Sequence, residues 1–329
     1  MEAKTVGRTR VGGSHERRNG GPSRNGHRPP GEAASRSRSM IAVANDYVTL
    51  TKPRIISLLL LTTVATMFVA DPSGPALSTI LWTMLGGYLA SGGAGAINHY
   101  LEREADARME RTSKRPIASG RVKPVHGLIF GIVLGLAAVV QLTITVNALA
   151  AALAALGLLG YVFLYTLWLK PRTPLNIVLG GAAGAVPPLV GWAAATGSLS
   201  AQALWPFAIV FFWTPPHFWA LSLLIADEYA RTGFPMLPVV RGEGTTRRQI
   251  LAYSVLLVAI TVGPFLTGLF GAFYLVAALA LGVTFIVLAA KLAKHPSRQA
   301  ARTLYLSSLA YLAALFIVMA IDRAATPLG

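Results

Sequence analysis

The sequence contains no cysteine. Disulfides, thiolate nucleophiles, Cys-ligated zinc, iron–sulfur clusters and c-type haem attachment are excluded with it. Charge is scarce as well. Only 13% of the 329 residues are Asp, Glu, Lys or Arg, where a soluble domain carries about 25%. Acidic charge is the scarcer sign, with 13 residues against 29 basic ones. Apolar residues are abundant, at 54% of the chain with a mean hydropathy of +0.56. A soluble fold cannot hide that much apolar surface, so an ordinary cytosolic globular protein is excluded. A polytopic membrane protein is expected instead. The formal net charge of +16 alone would suit a nucleic-acid partner. The placement of the charges argues for membrane topology, and no nucleic acid is expected.

Residues 1–40 stand apart. They are rich in Gly, Ser, Arg, Pro and Asn, lack apolar periodicity, and carry nine basic residues against Glu2, Glu16 and Glu32. This composition reads as a disordered basic tail. No apolar h-region with a small-residue cleavage site follows it closely, which argues against a secretory signal. A transit peptide or a basic extension resting on anionic lipid both fit. The remainder divides into a membrane domain, 41–322, and a short C-terminal tail, 323–329.

A membrane span needs roughly 20 apolar residues. Such runs occur at about 55–71, 77–98, 124–143, 147–168, 175–195, 203–225, 249–269, 272–292 and 303–321. The expectation is an all-α membrane protein of nine transmembrane helices. The boundary between the third and fourth runs is weak, because Gln141 to Asn147 carries no charge. Of the 29 cations, 28 fall in the tail or in loops on one side of such a bundle, and only Arg323 falls on the other. The positive-inside rule places the N-terminus and that side in the cytoplasm and the C-terminus outside.

Acidic residues cluster on the same side. Asn98, Glu102 and Asp106 recur at i, i+4, i+8, within roughly an 80° arc of one helix face. Two carboxylates and an amide oxygen suit Mg²⁺, which takes one or two carboxylates and completes its shell with water and substrate phosphates. The Arg111, Lys114 and Arg115 cations that follow could hold those phosphates. A solvated, ion-paired helix end explains the same residues. Glu104 projects off the shared face and is expected to pair with Arg108 at i+4. A second acidic pair, Asp227 and Glu228, ends the sixth span. His217 lies inside that span, next to a Pro215–Pro216 pair expected to break the helix. An intramembrane ionisable group is a functional candidate by default. A histidine hydrogen-bonded to a neighbouring helix is the alternative. The two halves share a span bearing Asn or His that ends in carboxylates, which suggests a weak internal duplication.

At these residues the chain resembles the UbiA superfamily of intramembrane prenyltransferases, and within it the protohaem IX farnesyltransferase (haem O synthase) branch. The acidic signature is carried by Asn98, Glu102, Asp106, Met109, Arg111, Thr112, Arg115, Pro116 and Gly120. Further matches lie at Thr51–Arg54, Thr173–Gly181, Pro187–Trp192, Trp213–His217 and Pro235–Val240. The resemblance covers about residues 45–322. Glu102 and Glu104 depart from the Asp usual in the family, and an exchange of role between them stays open. The resemblance implies a UbiA-type bundle whose active site opens on the cytoplasmic side. It implies farnesyl diphosphate and haem b as substrates and Mg²⁺ as cofactor. Asn98, Glu102, Asp106 and Asp227 would hold the metal, with Glu228 beside them. Lys52, Arg54, Arg111, Lys114, Arg115, Lys170 and Arg172 would pair diphosphate oxygens. His217, Asn176, Trp213 and Tyr165 are candidates for the haem and prenyl pocket, and Phe218 and Trp219 add aromatic faces. The lipid bilayer, a haem A synthase and oxidase assembly factors are the implied partners. Two rivals remain: a quinone-type UbiA enzyme acting on an aromatic acid, and a membrane transporter. The carboxylates crowd one face rather than the midplane, which disfavours the transporter.

Overall fold

The computed structural model describes residues 39–325; of the expected tails 1–40 and 323–329, residues 1–38 and 326–329 lie outside them, while Met40 opens α1 and residues 323–325 continue α13. The described chain is helical, and nine of its helices or helix pairs are long and apolar enough to cross a membrane. Helix α1 (Met40–Thr51) precedes the first span, α2 (Pro53–Ala70). The second span is α3 (Leu77–Leu101), followed by the short α4 (Arg103–Arg108). The third is α5 (Pro124–Thr145). The fourth joins α6 (Ala148–Leu159) to a π-helical segment (Gly160–Leu169). The fifth is split into α7 (Asn176–Gly184) and α8 (Val186–Thr196). The sixth is α9 (Leu204–Leu224), followed by the short α10 (Ala226–Thr232). The last three are α11 (Leu237–Leu266), α12 (Ala272–Lys294) and α13 (Arg298–Ala325).

Spans that are neighbours in sequence pack as neighbours in space, and α13 returns against α2 to close a ring. Small residues set the closest approaches, as expected where lipid supplies no hydrophobic drive between helices. Helices α2 and α8 touch where a Cβ on Gly191 would run into the Thr63 carbonyl. Outward faces stay apolar, with Leu136, Ile144, Val276 and Val287 all more than half exposed.

The ambiguous boundary near residue 147 has a physical origin that hydropathy does not register. The Asn147 side chain accepts from the Ala150 amide at 2.8 Å and donates to the Ala193 carbonyl at 2.8 Å, capping α6 without any charge. The fifth span breaks at Ala185 because Pro187 and Pro188 cannot donate to the preceding turn. The expected break at Pro215–Pro216 does not occur. Helix α9 runs through both prolines, with Trp213 and His217 anchored on α13 around them. Helix α11 begins earlier than hydropathy suggests, because a kink at Gly242 (φ 78°, ψ 160°) joins the short turn at 237–241, through a polar stretch, to the apolar span. The duplication has a structural counterpart. A long helix, a one-residue break and a short carboxylate-bearing helix occur twice, at α3–Glu102–α4 and at α9–Ile225–α10. The two short helices pack on each other.

Candidate active site

The break after α3 places the acidic motif. Glu102 leaves helical geometry (φ −94°, ψ 6°), yet its amide still bonds the Asn98 carbonyl at 2.9 Å. The Asp106 amide likewise bonds the Glu102 carbonyl at 2.8 Å. Each carboxylate is matched to a cation from another part of the chain. Lys170, at the end of the π-helical segment, donates to Glu102 Oε1 at 2.5 Å. One Arg115 guanidinium nitrogen donates to both Asp106 oxygens, at 2.8 and 2.7 Å. Lys52, in the break between α1 and α2, donates to Asn98 Oδ1 at 2.6 Å, and Asn98 Nδ2 donates to Thr166 Oγ1 at 3.3 Å. The structure thus gathers Lys52, Asn98, Glu102, Asp106, Arg115 and Lys170 into one cluster drawn from four parts of the chain.

The electrostatics follow from three cations around two carboxylates. Burial pushes the Lys52 ammonium down to about 7, helped by the Arg115 and Lys170 charges. Burial works to raise Glu102, but the Lys170 and Lys52 ammonium groups overcome it and hold the carboxyl below its usual range. Three basic groups around two carboxylates, one of them a lysine that an arriving anion would keep protonated, form a site built to receive an anion.

The other predicted cations lie outside this cluster. Arg54 is exposed on the first turn of α2. Arg111 is exposed, and only its backbone amide reaches Glu228 Oε2, at 3.4 Å. Lys114 is exposed, and its carbonyl accepts from Arg121. Arg172 folds back on the Leu167 and Trp168 carbonyls. Glu104 pairs with Arg103 at 3.3 Å rather than with Arg108, whose Nε instead donates to the Glu104 carbonyl. Asp227 is exposed and lines a separate polar cavity of about 250 Å³ with Glu243, Arg247 and Arg298.

The expected pocket residues are also dispersed. His217 stacks between Trp213 (4.2 Å) and Tyr305 (5.0 Å), with its Nδ1 2.6 Å from Ser308 Oγ. Trp213 donates to the Ser308 carbonyl at 2.8 Å. Both therefore face α13. Trp219 is buried edge-on to Tyr253, and Phe218 packs with Met109, Tyr229 and Met236. Asn176 Nδ2 donates to the Thr173 carbonyl, and its Oδ1 is buried without a partner. Tyr165 packs on Gly180.

A cavity of about 230 Å³, which the sequence did not reveal, adjoins the charged cluster at Lys52. Its walls are apolar: Ile55, Ile56, Leu59 and Leu60 of α2, Leu158 of α6 and Val190 of α8. Gly87, Ala90, Ser91, Ala94 and Gly95 of α3 provide the opposite wall and supply its room. Their i, i+3/i+4, i+7/i+8 spacing puts small side chains on one helix face. From Lys52 to Thr63 the cavity follows about 17 Å of helix, at 1.5 Å per residue. A charged head beside a long apolar trough matches an amphiphile with an anionic head and an apolar tail.

Hard oxygen donors one turn apart, Asn98, Glu102 and Asp106, suit magnesium. Among the described residues no three His, Cys, Asp or Glu side chains gather into a metal-binding group. An ion here would therefore depend on Asn98 and on oxygens of the bound anion.

The model of the UbiA prenyltransferase family matches residues 59–318. A protein of Roseiflexus sp. (strain RS-1) named protoheme IX farnesyltransferase is 51% identical over 282 residues, 86% of this chain and 53% of that protein. The chain spans about half the length of that relative. Proteins of the same name from Marinobacter nauticus and Saccharophagus degradans are 46% and 43% identical. These alignments cover 84% and 90% of this chain and 92% and 98% of those proteins. Among solved structures, a UbiA homolog from Archaeoglobus fulgidus bound to DMAPP and Mg2+ superposes with a TM-score of 0.61 at 13% identity, over 84% of this chain and 99% of that one. A structure of digeranylgeranylglyceryl phosphate synthase gives 0.69 at 16% identity, over 86% and 99%.

Proposed function

This chain belongs to the UbiA prenyltransferase family, and on that premise we propose that it transfers a farnesyl group from farnesyl diphosphate to a vinyl group of haem b. The observation that carries the reading is the apolar cavity abutting a cluster of three basic groups around two carboxylates. The diphosphate sits against Lys52, Arg115 and Lys170, and the farnesyl tail runs along α2 into the cavity. Arg54, Arg111, Lys114 and Arg172 form an outer basic ring that draws the anion in. The acceptor follows the names of the full-length relatives. The donor and the divalent ion follow those relatives and the neighbour bound to DMAPP and Mg2+.

The allylic C–O bond breaks and its electron pair leaves with diphosphate. Lys52, Arg115 and Lys170 stabilise the departing charge. The vinyl π electrons form the new C–C bond to farnesyl C1. Water then adds at the porphyrin-side carbon and loses a proton, leaving a hydroxyethylfarnesyl side chain. The cavity walls hold the tail and keep bulk water off the cation. Magnesium, held through Asn98, Glu102 and Asp106, would neutralise diphosphate charge. Asp106 and Glu102 position Arg115 and Lys170. Glu228, against the Arg111 amide, is the acidic group that α10 turns toward the basic loop, while Asp227 lines the separate cavity. The basic rim faces the cytoplasm in a cell membrane, the C-terminus lies outside, and residues 1–40 are dispensable for turnover. A haem A synthase or oxidase assembly factor receives the product.

The test is turnover of purified protein with haem b, farnesyl diphosphate and Mg²⁺, read by mass spectrometry. Wild type should yield haem carrying hydroxyethylfarnesyl. Asp106→Asn, which releases Arg115, should lower kcat about 100-fold or more, the scale of losing one preorganised charge contact. Prenylation of an aromatic acid with haem left unreacted would refute the acceptor.

A further inference from the structure

The cavity wall contains a single aromatic residue, Tyr161. It packs with Ala94 and Ile97 of α3, within one turn of Asn98, on the side of the trough that meets the charged cluster. Its phenol lies within electrostatic reach of Glu102, Arg115 and Asp106. The Trp213 and Trp219 rings turn elsewhere, onto Ser308 and Tyr253, while Tyr165 packs on Tyr161 at 5.5 Å between ring centroids, lies 6.0 Å from the Lys170 ammonium and is not among the residues lining the cavity. In the proposed reaction, positive charge develops at the carbon that joins tail to diphosphate. That carbon belongs where the trough meets the cluster.

Hydrogen bonds tie the Tyr161 backbone to the cluster. The Tyr161 carbonyl accepts from Thr166 Oγ1 at 2.9 Å, and that same oxygen accepts from Asn98 Nδ2 at 3.3 Å. Asn98 in turn holds Lys52. Tyr161 is thus two hydrogen-bond steps from the residue that anchors the diphosphate-binding lysine. The winding matters too. In a regular α-helix of 3.6 residues per turn, Tyr161 and Lys170, nine apart, would fall about 180° apart. The segment is π-helical, and the Lys170 amide bonds the Tyr165 carbonyl five residues back at 2.9 Å. Nine residues of the wider i→i+5 winding make roughly two full turns, which returns both side chains to one side. The π winding, unusual in length at ten residues, therefore presents Glu102's partner and the aromatic ring to the same space.

We infer that Tyr161 is a catalytic residue whose ring face contacts the allylic carbon and stabilises the prenyl cation by a cation–π interaction. The inference rests on the prenyl-transfer reading above. The phenol oxygen is not required, so Tyr161→Phe keeps most of the wild-type rate.

The test replaces Tyr161 with phenylalanine and then with phenylalanines bearing one, two and three ring fluorines. Fluorine drains the negative ring face at nearly constant shape. Diphosphate release and prenylated acceptor are both followed. Affinity for farnesyl thiolodiphosphate, an analogue that resists ionisation, reports folding and ground-state binding. The expected result is a stepwise fall in kcat across the fluorine series with unchanged analogue affinity. Tyr161→Leu should lose about 30-fold in kcat, the equivalent of a desolvated cation–π contact of about 2 kcal/mol. A flat fluorine series would overturn the assignment even if Tyr161→Leu were dead, because the ring would then only pack. Full activity in Tyr161→Leu would overturn it too. If wild type prenylated an aromatic acid in place of haem, the acceptor reading alone would fail. The fluorine series, read with that acceptor, would still decide on Tyr161.

Discussion

Lys52 adopts a left-handed backbone (φ 59°, ψ 54°), and no other non-glycine residue among the described residues has positive φ. The conformation costs about 1–2 kcal/mol for an L-residue, and strain of this kind collects at functional sites. The geometry ends α1, lets Pro53 start α2 and points the ammonium at Asn98. With burial pushing it down to about 7, Lys52 is largely neutral at pH 8 in the free protein. A bound diphosphate restores its charge. Binding of farnesyl thiolodiphosphate at pH 8 should therefore take up close to one proton, and Lys52→Gln should abolish the uptake. Calorimetry in buffers of different ionisation enthalpy measures it, and zero uptake by wild type would remove Lys52 from the diphosphate site. At this scale the sequence was partly legible. Asn98, Glu102, Asp106, Arg115, Lys52 and Lys170 could be nominated because carboxylates and cations are rare in an apolar chain. Tyr161 could not, since a helical wheel sets it opposite Lys170 and only the π winding reverses that.

Helix breaks build the site, and each has a local cause. Glu102 and Ile225 end α3 and α9 one residue before the short acidic helices. The α7–α8 break at Ala185 lies beside Gly184 on the cavity wall. A Cβ at Gly184 would meet nothing within 4 Å, so a side chain there projects into the open trough. Gly184→Leu should leave the fold intact and occupy room that the tail needs. We expect kcat/KM for farnesyl diphosphate to fall about 10- to 100-fold, the range for a few methylenes in an apolar pocket, while geranyl diphosphate is spared. Equal loss with both donors would show that the trough does not gauge the tail. Hydropathy placed the spans to within a few residues for most of the chain, because burial in lipid demands length and apolarity and little else. The proline pair at 215–216 misled where hydropathy did not, because packing on α13 outweighs two missing backbone bonds. Hydropathy could not see the cap at Asn147, because a single amide makes that turn.

The molecule as a whole separates charge from apolar surface along the membrane normal. Its topology is testable without background, because the chain has no cysteine. Ser297 is exposed between α12 and α13, and Ser198 is exposed after α8, at the other end of the bundle. In intact cells, Ser198→Cys should react with a membrane-impermeant maleimide. Ser297→Cys should react only after lysis, as should a cysteine in the basic loop at Ser119. The reverse pattern would invert the proposed orientation. The nine-span architecture was legible at this scale because each span is specified locally. The cavity was not, since it arises where α2, α3, α6 and α8 meet and no single stretch records it.

On the proposed function, the charged cluster and the trough are one binding site. The most direct measurement is a structure of the full chain with farnesyl thiolodiphosphate and Mg²⁺. The predicted result is diphosphate density against Lys52, Arg115 and Lys170, with the tail passing Tyr161 and lying between Leu59 and Gly184. Diphosphate density in the second cavity, against Arg247 and Arg298, with the trough filled by lipid, would contradict it.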